Sequence, residues 1–200
     1  MAAEPFVIGL TGSIGMGKTQ TAKLFAAEGI PVFDADAAIH RLYSPDSPAI
    51  PIIAAEFPTA VTGAGIDRAE LSRLLLQDDA ALARLETLIH PFVARERAEF
   101  LKAHPSAPIV LFDVPLLLET GTKVDAVVVA SAPTDVQRDR VLARSGMTEE
   151  KFARLLTRQL SDTQKRAQAH YIVVTDGGLD HARQQVKMIL AEIREKLKTN

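Results

Sequence analysis

Cysteine is absent from the 200 residues of this chain. Its absence excludes a disulfide framework, a thiol nucleophile and a cysteine zinc site. An excess of positive charge is also missing, because 23 lysines and arginines stand against 25 aspartates and glutamates. Constitutive binders of nucleic acids or membrane surfaces depend on net positive charge, so neither kind of partner is expected.

The N-terminus lacks the features of an export signal. Residues 1–5 contain no basic side chain, and the apolar segment that follows is too short for a signal sequence or a membrane span. The chain also shows no internal repeat and no low-complexity tract. We therefore expect a soluble cytoplasmic enzyme.

Five short apolar runs alternate with helical patterns along the chain. The runs are mostly continuous in hydrophobicity, which is typical of strands covered on both faces. They predict an α/β fold in which a five-stranded parallel sheet is flanked by helices. The runs cover residues 6–10, 30–33, 108–114, 125–130 and 171–174.

A phosphate-binding motif directly follows the first of these runs. Residues 12–19 read G-S-I-G-M-G-K-T and match the full pattern G-x-x-x-x-G-K-[ST]. The glycines let successive backbone N–H groups point at the β- and γ-phosphates, Lys18 adds a positive charge, and the Thr19 hydroxyl is suited to Mg²⁺. The predicted nucleotide-binding residues are Gly12, Ser13, Ile14, Gly15, Met16, Gly17, Lys18, Thr19 and Gln20.

A long insertion interrupts the alternation between residues 44 and 107. It reads as helices rather than strands. Asp67 with Glu70 resembles a capping box, Asp79 is suited to cap a second helix, and Pro91 is suited to the first turn of another. The predicted core therefore comprises residues 1–43 and 108–200.

A basic segment lies between residues 138 and 166. It holds eight basic and four acidic residues and therefore carries a charge of +4. Such a run is typical either of a solvated helix face or, in a protein that handles phosphates, of a cationic lid. Arg140 and Arg144 are four residues apart, which predicts one helix face that could stabilise a transferred phosphoryl group.

Three aspartates are candidates for the chemistry of phosphoryl transfer. Asp113 ends a buried strand, which is the position of a Walker-B carboxylate acting through Mg²⁺. Asp34 and Asp36 follow the second strand, where α/β folds bind ligands. One of these two could simply cap the next helix.

Several motifs in combination resemble the dephospho-CoA kinase family over essentially the whole chain. The phosphate loop alone is common to many families, whereas the other motifs are distinctive together. These are D-A-D at 34–36, H-P at 90–91, D-V-P-L-L-L-E at 113–119, Q-x-x-R-x-x-x-R at 137–144, and Gln159 with Lys165. One departure is Thr175, where the family usually has asparagine.

The resemblance implies an ATP-dependent transfer of phosphate to the 3′-hydroxyl of dephospho-coenzyme A, the last step of coenzyme A synthesis. It implies a P-loop kinase fold of the nucleoside-monophosphate-kinase type, with 44–107 as the CoA-substrate domain and 138–166 as the lid. ATP and dephospho-CoA are then the partners, and Mg²⁺ is the cofactor. The implied catalytic residues are Lys18, Asp36, Arg140 and Arg144. The implied substrate-binding residues are Asp34, Asp36, His90, Leu117 and Glu119, and the implied metal ligands are Thr19 and Asp113.

Three other interpretations stay open at this point. Residues 122–125 read T-K-V-D and match the [NT]-K-x-D pattern with which GTPases read guanine, although here the pattern precedes a strand instead of following one. A non-catalytic P-loop module would explain the loop but not the carboxylates. A kinase for another nucleoside or nucleotide is the nearest enzymatic alternative.

Overall fold

The computed structural model of the chain describes residues 4–199, and at positions 76, 77 and 79 it describes the backbone alone. Met1 to Ala3 and the capping side chain predicted at Asp79 lie outside the described part. The chain forms two compact units. One runs up to Phe33 and resumes at Pro105, and the other comprises Asp34–His104.

The first unit contains the predicted five-stranded parallel sheet. Its strands are β1 (Phe6–Thr11), β2 (Val32–Asp34), β5 (Ile109–Asp113), β6 (Ala126–Ser131) and β7 (Tyr171–Val174), and they lie in the order β2-β5-β1-β6-β7. Each strand lies within two residues of its predicted bounds. Every residue of β5 and β6 is buried, as expected for strands that are apolar except at their last residue. The fold class is confirmed.

Five helices of this unit surround the sheet: α1 (Lys18–Ala27), α6 (Thr134–Leu142), α7 (Glu149–Leu156), α8 (Asp162–Ala167) and α9 (Gly178–Thr199). The last helix buries Ala182, Val186, Ile189, Leu190 and Ile193 in the core of this unit. Ala182, Val186, Ile189 and Ile193 recur every three or four residues, and Leu190 follows Val186 by four, so all five lie on one face, which packs against α1 and β7.

The second unit has its own apolar core. It is built from α2 (Ala35–Leu42), α3 (Ile50–Glu56), a short 3₁₀ turn (Pro58–Ala60), α4 (Arg68–Gln77) and α5 (Asp79–Ala103). A small antiparallel hairpin, β3 (Val61–Thr62) and β4 (Gly65–Ile66), was not predicted. The unit also begins earlier than the predicted insertion, because α2 packs on α5 and contributes Leu42 to this core.

Helix α5 departs from the predicted break at Pro91. It is one continuous helix of 25 residues that contains Pro91. Pro91 therefore does not begin a new helix, and His90 lies within α5. A proline inside a helix removes one backbone hydrogen bond and costs about 3 kcal/mol. Apolar side chains on both sides of it, among them Leu85, Ile89 and Phe92, pack into the second core and offset that cost.

Helix caps at two sites follow the local sequence. The Asp67 carboxylate accepts hydrogen bonds from Ala69 N and Glu70 N at the start of α4, so Asp67 is the predicted cap. The reciprocal half of a capping box is not formed, because Asp67 N donates to Ala60 O and the Glu70 carboxylate accepts from Thr59 and Arg73. The cap of α5 is Asp78 and not the predicted Asp79, because the helix already begins at Asp79 and the Asp78 side chain accepts from Ala80 N. None of the helices within residues 4–199 is long and apolar enough to cross a membrane.

Candidate active site

The phosphate loop connects β1 to α1 at the carboxyl edge of the sheet. Gly17 caps α1 in the left-handed conformation, with φ of 87°, and the side chain of Thr175 leaves no room for a Cβ there. Lys18, Thr19 and Gln20 form the first turn of α1, and the last two are exposed. The N-terminus of a helix with free N–H groups favours anions, so this arrangement suits a phosphate.

Lys18 reaches the end of the neighbouring strand. Its Nζ lies 2.6 Å from Oδ1 of Asp113, and both side chains are largely buried. The register of the sheet explains the contact, because Asp113 is paired with Leu10, shortly before the loop. The predicted Walker-B carboxylate therefore does lie beside the phosphate loop.

The oxygen atoms near this pair fit a magnesium ion. Thr19 offers an exposed hydroxyl and Asp113 a carboxylate, both hard donors of the kind Mg²⁺ prefers. Within the part of the chain that the structure describes, no group of three or more histidine, aspartate or glutamate side chains could hold a metal by itself. In kinases, substrate phosphates and water usually complete the coordination of Mg²⁺.

Helix α6 lies directly against the loop. Gln137 donates through Nε2 to the carbonyl of Ile14 at 2.7 Å. Arg140 donates from Nη1 to Thr175 Oγ1 at 2.9 Å and from Nη2 to Thr175 O at 2.8 Å, and its Nη1 is 3.5 Å from Gly15 O. The predicted arginine is therefore at the loop, held by backbone and hydroxyl groups.

Arg144 does not share a helix face with Arg140. Helix α6 ends at Leu142, and the chain then turns towards Gly146, which adopts a left-handed φ of 73°. The side chain of Arg144 is exposed. The four-residue spacing gave the wrong prediction because it assumed that the helix continues past its actual end.

Thr175 and Gln159 are functional candidates that the sequence did not single out as site residues. The Thr175 hydroxyl donates to Met16 O at 2.9 Å, and Gln159 Oε1 accepts from Ile14 N at 3.0 Å. Both hold the loop from segments well over a hundred residues away in the chain. The departure from asparagine at 175 was the only sequence signal for the first, and the resemblance named Gln159 without a role.

Leu117 and Glu119, both predicted to bind substrate, follow β5 in the first unit. Leu117 is 1% exposed and packs against Gly9 of β1. Glu119 accepts hydrogen bonds from Lys165 and from Leu160 N. Both side chains are engaged within the first unit.

The remaining candidates belong to the second unit. Asp34 is the N-cap of α2 and accepts from Ala37 N at 2.9 Å, as the capping alternative foresaw. Asp36 lies in the first turn of α2 and is exposed. His90 is exposed on α5.

The T-K-V-D pattern at residues 122–125 contacts the start of β1 through Asp125. Asp125 accepts from Val7 N through Oδ2 at 2.7 Å and donates its own N–H to Val7 O. Val7 is near the start of β1, whereas the phosphate loop follows the end of that strand. The T-K-V-D residues therefore lie at the opposite edge of the sheet from the loop, and the GTPase interpretation is wrong.

A parallel sheet with a phosphate loop, a lysine on a buried aspartate and an arginine from a flanking helix defines a P-loop kinase. Residues 6–181 match the family model described as "Dephospho-CoA kinase". The chain belongs to the dephospho-CoA kinase family, whose members are transferases.

Curated relatives agree with this assignment. A dephospho-CoA kinase of Novosphingobium aromaticivorans is 50% identical over 96% of this chain and 97% of its own length. One of Cereibacter sphaeroides is 51% identical over 96% and 98%. Among solved structures, TT1252 from Thermus thermophilus superposes with a TM-score of 0.84, at 34% identity, over 95% of this chain and 98% of that one.

Proposed function

We propose that this enzyme transfers the γ-phosphoryl group of ATP to the 3′-hydroxyl of dephospho-coenzyme A, giving coenzyme A and ADP in the last step of coenzyme A biosynthesis. Family membership over residues 6–181 supports the reaction. The contact of Lys18 Nζ with Asp113 Oδ1, 2.6 Å at the phosphate loop, is the structural observation that supports phosphoryl transfer. A non-catalytic module would need no such carboxylate.

The roles at the loop follow from charge. Lys18 turns from Asp113 to the β- and γ-phosphates when ATP binds, since both are anionic partners within its reach. Thr19 and Asp113 would hold Mg²⁺, which when bound neutralises charge on the β- and γ-phosphates. Arg140, already at the loop, stabilises the transferred group, and Arg144 adds positive charge from the segment 138–166 that was predicted as the lid.

Asp36 is our candidate for the carboxylate that orients the acceptor hydroxyl. Its side chain is exposed and is free of the capping role that Asp34 performs on the same helix. A general base must be able to reach the proton that it accepts. Asp34 instead fixes the start of α2 and so supports the position of Asp36.

The second unit is our candidate for the acceptor-binding domain, and a cavity in it supports this. The cavity measures about 270 Å³ and lies at the end of α2, next to α5. Arg41 and Arg95 line it, each in an ion pair with a glutamate of α5. Exposed ion pairs contribute only about 0–1 kcal/mol, so a diphosphate could displace either glutamate at little cost. The remaining wall is mixed: Leu42, Pro48 and Phe92 offer apolar contacts for a pantetheine arm, and the other lining residues, Ser44, Asp46 and Ser47, are polar.

The test of the reaction is a coupled assay of ADP release at matched ATP and Mg²⁺. We expect kcat/KM for dephospho-CoA to exceed that for adenosine or a simple nucleoside monophosphate by at least about 100-fold, because those acceptors lack the diphosphate and the arm that would bind the cavity. Comparable efficiency on a plain nucleoside would favour the general nucleotide-kinase alternative.

The test of the acceptor domain is Arg95→Ala. We expect KM for dephospho-CoA to rise about fivefold or more, while KM for ATP stays unchanged. Arg73→Ala is the matched control, since Arg73 forms an ion pair with Glu70 on another helix of the same unit and does not line the cavity. Equal effects of the two substitutions would remove the cavity from the acceptor site.

A further inference from the structure

Lys165 is a buried lysine that no proposed step of the reaction uses. Its side chain is fully inaccessible to solvent. The Nζ atom lies 2.7 and 3.0 Å from the two carboxylate oxygens of Glu119, and 3.3 Å from both Thr11 Oγ1 and Pro115 O. A lysine is almost never fully buried unless it is paired, so this pairing is what makes its position possible.

Glu119 connects the buried lysine to the segment between α7 and α8. Its Oε1 also accepts from the backbone N–H of Leu160 at 2.9 Å. Burial raises the pKa of the Glu119 carboxyl, but hydrogen bonds from Lys165 and Leu160 outweigh burial and hold the pKa below its usual range. Glu119 is therefore ionised at neutral pH and accepts from two donors at once.

The same segment holds the phosphate loop. Ser13 Oγ donates to Leu160 O at 3.2 Å, and Ile14 N donates to the side chain of Gln159 at 3.0 Å. The backbone N–H of Leu160 is thus bound to Glu119, and its carbonyl oxygen is bound to the loop. Ser13, at 3% exposure, and Ile14 immediately precede Gly15, where the loop turns.

We propose that Glu119 and Lys165 are positioning residues for the phosphate loop and that Glu119 does not contact the acceptor. The ion pair fixes Leu160, and Leu160 with Gln159 fixes the start of the loop, so the pair sets the direction of the N–H groups that receive the phosphates. Groups that bind a ligand must be held within about 0.5 Å of the productive geometry, and the residues that contact them provide this restraint. The inference rests on the proposed function for the identity of the acceptor alone.

The experiment compares Glu119→Gln and Lys165→Met with the unaltered enzyme. Glutamine keeps an acceptor for Leu160 N but loses the charge that holds Lys165. We measure ATP affinity by calorimetry without acceptor, and KM for each substrate in the coupled assay. The expected result is at least about a 10-fold loss of ATP affinity in either variant, with KM for dephospho-CoA changed by less than about twofold.

Two further measurements separate positioning from stability. The double variant should lose about as much ATP affinity as either single one, because all of them remove the same ion pair. Lys187→Met is the control, because it removes a surface ion pair with Glu28 at 3.7 Å and should leave ATP affinity unchanged. If Lys165→Met does not fold, Glu119→Gln and Glu119→Asp still decide the question.

Two outcomes would overturn the proposal. A rise in KM for dephospho-CoA with normal ATP affinity would return Glu119 to the acceptor site. Lower resistance to urea with normal ATP affinity of the folded variants would make the pair merely structural. Because ATP affinity is measured without acceptor, a failure of the enzyme to phosphorylate dephospho-CoA would refute the proposed reaction without affecting this comparison.

Discussion

Alanine at Gly15 should damage the phosphate loop through both backbone and packing. Gly15 has a φ of 82°, a conformation that costs an L-residue roughly 1–2 kcal/mol. A Cβ at this position would also lie 2.6 Å from Val141 Cγ2 and 2.9 Å from the backbone oxygen of Gln137. Overpacking of this kind typically costs about 1–3 kcal/mol. We therefore expect Gly15→Ala to lose about 2–5 kcal/mol of favourable free energy in total, either from the free energy of unfolding or from the free energy of ATP binding.

Gly29→Ala isolates the backbone contribution. Gly29 has nearly the same φ, 80°, but a Cβ there would meet no atom within 4 Å. It should lose only about 1–2 kcal/mol of unfolding free energy and keep normal ATP affinity. The difference between the two variants measures the contact of the loop with α6.

The assay combines urea unfolding with calorimetric titration of ATP. We expect ATP affinity to fall about 10-fold or more in Gly15→Ala, and adding Val141→Ala should restore part of it by removing the side-chain clash. The clash with Gln137 O would remain, since backbone cannot move away cheaply. If Gly15→Ala and Gly29→Ala behave alike in both measurements, the close packing of α6 on the loop has no energetic importance.

Three other predictions address the charged residues. Lys18→Ala should lower turnover by about two orders of magnitude or more, and a smaller loss in the coupled assay would contradict its place at the phosphates. Asp36→Asn should lower kcat by about 100-fold with ATP binding intact, whereas Asp34→Asn should be milder; equal losses would remove this division of roles. The pKa of Glu119 is lowered in the folded protein, so its ionised carboxylate stabilises the fold at pH values above the ordinary pKa of a glutamate. This contribution is lost as the pH falls through the lowered pKa, so the unfolding free energy of Glu119→Gln should depend less steeply on pH in acid.

Local sequence patterns determined the elements and the nucleotide loop. Strand positions were readable because buried parallel strands are apolar throughout, and the loop was readable because its glycines, lysine and threonine are contiguous. Asp67 was recognisable as a cap for the same reason, since the backbone N–H groups that donate to its carboxylate lie two and three residues away. Such features depend on short-range geometry, which a linear pattern records.

Tertiary structure alone decided where helices end and which charges pair. Helix α5 continues through Pro91 because a core assembled from distant residues outweighs the local cost. Lys18 and Asp113 are 95 residues apart, and Lys165 and Glu119 are 46 apart. Sequence offered Glu119 as a ligand for substrate, and the folded chain adds a buried lysine beside it, a contact that no local pattern records. A buried charge requires a partner, and only the folded arrangement of strands and helices selects that partner.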